Sequence, residues 1–98
     1  MAVAILIEVP GLTTETYDAV NEQAGIASDP PAGLIIHTCG EMDGGLRIFD
    51  VWETQEDLDR FESERLVPAM NEVSAQSGGS PMDSSRREVY HLHSFLGS

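Results

Sequence analysis

The sequence predicts an α+β domain in the order βαββαβ, a four-stranded antiparallel sheet with two helices on one face. Three observations carry that prediction. The apolar, β-branched run from Ala2 to Val9 stops at Pro10-Gly11. Two further apolar runs flank Asp43-Gly44, and each helical segment opens on a threonine suited to capping. At 98 residues the chain has room for a single domain, 1–98.

The first strand is Ala2 to Val9. Thr13 or Thr14 then caps a helix with Glu15 in its first turn, where a carboxylate meets the positive end of the dipole. Tyr17, Val20 and Ala24 fall on one helical face, and Gly25 is the stop. The stretch from Ser28 to Gly33 holds two consecutive prolines and reads as a loop.

Gly33–Glu41 and Gly45–Glu53 form a hairpin about a two-residue Asp43-Gly44 turn, read as type I′. Met42 then faces Gly45, Cys39 faces Ile48, His37 faces Asp50 and Ile35 faces Trp52. The period of two places His37, Asp50, Trp52, Ile35 and Cys39 on one side of the sheet. Leu34, Ile36, Phe49 and Val51 occupy the other side.

Thr54 caps the second helix, with Glu56 and Asp57 in its first turn. Leu58, Phe61, Leu66, Met70 and Val73 supply its apolar stripe, and Pro68 predicts a kink or break near Val67. Residues 74–86, rich in serine and glycine, read as a flexible linker. Arg87–Leu96, with Tyr90, His91 and His93, reads as the fourth strand. The order matches the ferredoxin-like pattern. Both faces of its central hairpin are apolar, so a second copy packed sheet to sheet would cover the face without helices. That predicts a homodimer.

Charge narrows the function. Seventeen acids against five basic residues give a net charge of −12, and all five basic residues are arginine. No lysine is present for a Schiff base or a phosphate loop. So acidic a chain is not expected to bind nucleic acid or an anionic membrane surface. Its single cysteine calls for no oxidising compartment, and the short N-terminal apolar run is interrupted by Glu8. The expectation is a soluble, cytoplasmic protein.

Among candidate functional residues, His37 opposite Asp50 is the most suggestive pair. A carboxylate beside an imidazole fixes its tautomer and raises its basicity, as a general base requires. Trp52 on the same face offers a stacking wall for a flat aromatic ligand. Cys39 reads as a small apolar filler, and Arg47 and Arg65 as surface ion-pair partners. His91 and His93 would share one side of the last strand, a two-ligand pattern too sparse for a metal site.

The βαββαβ order, with the run Val51-Trp52-Glu53-Thr54-Gln55-Glu56-Asp57-Leu58, resembles the dimeric α/β-barrel superfamily, in its antibiotic-biosynthesis-monooxygenase-like branch. The resemblance implies a pocket between sheet and helices in each subunit, here bordered by Ile7, Tyr17, Ile35 and Phe61. It also implies oxidation of a small hydrophobic or aromatic, polyketide-like molecule without a cofactor or metal. Haem-degrading members combine a first-strand asparagine, a third-strand tryptophan and a second-helix histidine. Only Trp52 matches here, with Ile7 and Phe61 or Glu62 at the other two positions, which argues against haem. The catalytic set expected is His37, Asp50 and Trp52. The alternative is a non-catalytic ligand-binding or structural homodimer, or a cyclase or isomerase using the same pocket. A cavity of roughly 300 Å³ or more that reaches His37 and Trp52 would favour an enzyme or binder.

Overall fold

A computed structural model describes residues 2–77 and 86–94. Its elements are β1 (Val3–Pro10), α1 (Thr14–Ala24), β2 (Leu34–Met42), β3 (Gly45–Trp52), α2 (Gln55–Phe61), a π-helical turn (Glu62–Leu66), α3 (Val67–Ser77) and β4 (Arg86–His91). The strands form one antiparallel sheet in the order β2-β3-β1-β4. This is the expected ferredoxin-like α+β fold. Among the described residues, no helix is long and apolar enough to cross a membrane.

Local chemistry explains the element ends. The Thr13 side chain accepts from the Thr16 amide at the start of α1, and Gly25 closes that helix in the left-handed region at φ 71°. Thr54 accepts from the Asp57 amide at the start of α2. The break expected at Pro68 is resolved as a π turn just ahead of it. Pro68 cannot donate to the helix ladder, and the preceding Val67 amide reaches back five residues to the Glu62 carbonyl. The axis therefore continues into α3.

That helix runs on to Ser77, through the first four residues of the predicted linker. Val73 is buried with Val20, Ala24 and Ala69 between α1 and α3. Burying a valine is worth roughly 1.5–3 kcal/mol, which outweighs a helix-propensity deficit of at most about 0.7 kcal/mol for a serine. Residues 78–85 of the predicted linker lie outside the described residues. The fourth strand is also shorter than predicted. It ends at His91, where its partner β1 begins, and Leu92 makes a last contact to the Ala2 carbonyl at 2.9 Å. His93 lies beyond the strand, so the two histidines do not share a strand face. Leu96 lies outside the described residues.

The hairpin register holds from Met42–Gly45 through Cys39–Ile48 and His37–Asp50 to Ile36–Val51. Two details differ from the expectation. Asp43 keeps a negative φ and only Gly44 turns left-handed, at 81°, so the turn is not type I′. A bulge between Leu34 and Ile36 then sets Leu34, not Ile35, opposite Trp52. Ile35 becomes the extra residue and is 41% exposed, while Leu34 packs against the core.

The main core lies between the sheet and the helices. Val3, Ile5, Ile7 and Val9 of β1 meet Leu46 and Trp52 of β3 and Leu58 and Phe61 of α2. The opposite sheet face carries no helix and leaves Ile36 and Tyr90 37% and 44% exposed.

Candidate functional site

Three elements bring their polar side chains to one point under the helices. Asp50, on the buried central strand β3, is 6% exposed and sits directly across from His37 on edge strand β2. A buried carboxylate without a partner would be strongly disfavoured. Asp50 Oδ1 lies 2.7 Å from His37 Nδ1. Because the carboxylate can only accept, the hydrogen of a neutral imidazole lies on Nδ1, and Nε2 is left as the acceptor. Tyr17, on the inward face of α1 with Val20 and Ala24, reaches that nitrogen: its Oη is 2.8 Å from Nε2. The result is a continuous chain in which Tyr17 donates to His37 and His37 donates to Asp50.

Burial pushes the Tyr17 hydroxyl up to about 12. The Asn21 side chain opposes that shift, and charge on Cys39 and Asp50 adds to it. Tyr17 therefore keeps its proton and acts as a donor. Cys39 is partly buried, and burial raises its thiol too, with the Tyr17 hydroxyl opposing. A thiol held protonated is a poor nucleophile, and its setting suits the expected apolar filler.

A cavity of about 50 Å³ opens beside this chain, and Tyr17, His37 and Asp50 line it together with Ile7, Phe61 and Met70. Of the residues the sequence assigned to a pocket, Ile7, Tyr17, His37, Asp50 and Phe61 are thus brought together. Trp52 and Ile35 are not. Trp52 lies two residues along β3 from Asp50, roughly 6.5–7 Å away, and packs into the core against Phe61, with ring centroids 5.2 Å apart. It buttresses a wall residue instead of forming the wall. Its buried indole N–H finds no hydrogen-bond partner among the described residues. The bulge turns Ile35 out towards solvent.

The hydrogen bond from Tyr17 to His37 escaped sequence reasoning. The spacing of Tyr17, Val20 and Ala24 identified the buried face of α1, but nothing in it specifies where along β2 that face lands. Arg47 forms the expected ion pair, with Glu8 at 2.6 Å. Arg65 instead directs its guanidinium at the carbonyls of Ala24, Gly25 and Asp29, which fastens the loop after α1. Among the described residues, no three His, Cys, Asp or Glu side chains gather as a metal site would require.

The chain matches no protein-family profile and no curated protein. Its fold is shared with solved structures across nearly the whole length. One is a variant of SnoaB, a cofactor-independent oxygenase from Streptomyces nogalater, at 16% identity and TM-score 0.65, covering 99% of this chain and 98% of that one. Rv0793 from Mycobacterium tuberculosis matches at 18% identity and TM-score 0.63, covering 99% and 100%. A candidate antibiotic biosynthesis monooxygenase from Caulobacter crescentus CB15 matches at 8% identity and TM-score 0.71, covering 95% and 91%. The chain therefore shares the fold of these structures.

Proposed function

We propose that this chain is a cofactor-independent, monooxygenase-like enzyme for a small hydrophobic or aromatic, polyketide-like molecule. His37 with Asp50 is its base, and Tyr17 is the hydroxyl between that base and the substrate. The observation that carries this reading is the Tyr17–His37–Asp50 hydrogen-bond chain on the wall of an apolar cavity. The shared fold with a cofactor-independent oxygenase supports the kind of reaction.

The chemistry follows from the proton positions. Asp50 holds the imidazole with Nδ1 protonated and stabilises the imidazolium that forms when Nε2 takes a proton. Tyr17 passes its hydrogen to Nε2 as it accepts one from an activated CH₂ of the substrate. The transfer is concerted, since a free phenolate is disfavoured at this buried site. The carbanion then reduces dioxygen. One oxygen atom becomes the product carbonyl, and the other leaves as water with the two hydrogens lost from that carbon.

The same reading has the chain act as a homodimer through its helix-free sheet face, which carries Ile36, Phe49, Val51 and Tyr90. A non-catalytic ligand-binding or structural dimer is the reading favoured by cavity size. About 50 Å³ holds a few waters rather than a fused ring system.

Oxygen-electrode measurements with a panel of phenolic polycyclic ketones separate the two. The wild type is expected to consume dioxygen with at least one of them. His37→Ala should reduce the rate by about 10²-fold or more while keeping the oligomeric state. Undiminished uptake in that variant would remove His37 from the mechanism. No uptake with any compound would favour the non-catalytic dimer.

A further inference from the structure

We propose that a second cavity, on the outer side of His37, is the entrance half of the ligand site, and that it selects aromatic molecules carrying a positive charge. This groove has a volume of about 400 Å³, and its lining includes Asp18, Asn21, Glu22, Gly25, Ile26 and His37. Asn21, Ile26 and His37 also line the inner cavity. The imidazole thus stands in a partition with one space on either side. The inner space alone holds a few waters, whereas the groove, open to solvent on its outer side, has room for a small ring system. Ile26, which follows the left-handed Gly25 at the end of α1, packs partly buried against the core and lines both spaces.

The charge of the rim identifies the occupant. Asp18 and Glu22 are four residues apart on α1, exposed, and without an ion-pair partner among the described residues. The arginine that reaches the same loop, Arg65, is committed to the carbonyls of Ala24, Gly25 and Asp29. An apolar floor, two uncompensated carboxylates and a net charge of −12 suit a flat ring with an amine or amidine and repel an anion. This inference names the substrate class of the site proposed above and rests on that assignment of its location.

Titration with three acridines of matched shape at mildly alkaline pH tests it: cationic 9-aminoacridine, neutral acridine and anionic acridine-9-carboxylate. The cation is expected to bind about tenfold more tightly than either analogue and to shift the His37 ring resonances. Asp18→Asn with Glu22→Gln should weaken the cation by about fivefold, whereas the charge-matched control Glu41→Gln with Asp43→Asn, on the β2–β3 hairpin, should not. Equal binding of the three dyes, or equal weakening by the control, would overturn the proposal. Cation-selective binding at His37 without dioxygen uptake by any phenolic ketone, amine-bearing ones included, would sink the oxygenase reading and leave the cation site standing. Uptake with charge-blind binding would do the reverse.

Discussion

Tyr17 holds its hydroxyl proton firmly, and burial is the reason. Its phenol is raised from 10.0 to about 12, so the folded state holds a proton that the unfolded chain releases at lower pH. Between those values the unfolded state binds fewer protons, and stability must fall as pH rises. Below pH 10 the contribution is fully present. Urea unfolding across the alkaline range should therefore show a stability loss between about pH 10 and 12 that Tyr17→Phe abolishes. An identical alkaline slope in wild type and variant would show that Tyr17 is not buried as described.

Residue-scale features were only partly legible in the sequence. His37 and Asp50 could be paired because Asp43-Gly44 marks a two-residue turn, and counting outward sets the register. Ile35 was misplaced because the count assumes an unbroken ladder; Trp52 keeps the predicted face but sits two residues beyond Asp50 on β3, past the cavity wall. A bulge has no local signature beyond the loss of one pairing, and nothing in Gly33-Leu34-Ile35-Ile36 announces it.

At the scale of elements, α1 and α2 are each set by a threonine cap at the start and an apolar stripe along the inward face. Thr54 satisfies the Asp57 amide at 3.0 Å and aims α2 so that Leu58 and Phe61 meet β3. Thr54→Ala should destabilise the fold by about 1 kcal/mol, read as a lower urea midpoint with an unchanged m-value. A midpoint within error of wild type would mean that packing alone directs the helix. The βαββαβ order was legible because strand and helix periodicities differ and each change is marked by Gly, Pro or a capping threonine. The π turn was legible only as trouble at Pro68. The length of α3 was hidden because composition favours a linker from Ser74, while tertiary burial of Val73 holds the helix together.

At the scale of the whole molecule, the sheet has one face built into the core and one face left to something else. Ile36 and Tyr90 are exposed there beside the buried Val51 and Ala4. A cross-strand Glu8–Arg47 pair lies on the same face. Sedimentation velocity at micromolar concentration should show a dimer, and Ile36→Glu should convert it to a monomer. A wild-type monomer under those conditions would refute sheet-to-sheet packing.

The claim on which the chemistry rests is that Asp50 fixes one tautomer of His37, leaving Nε2 to accept from Tyr17 and, through it, from a substrate. Nitrogen-15 NMR of the His37 ring, at a pH where it is neutral, tests this without a substrate. The expected spectrum has the hydrogen on Nδ1 and an unprotonated Nε2, with Nε2 moving towards a free-acceptor shift in Tyr17→Phe. A hydrogen on Nε2, or a ring averaging freely between tautomers, would contradict it.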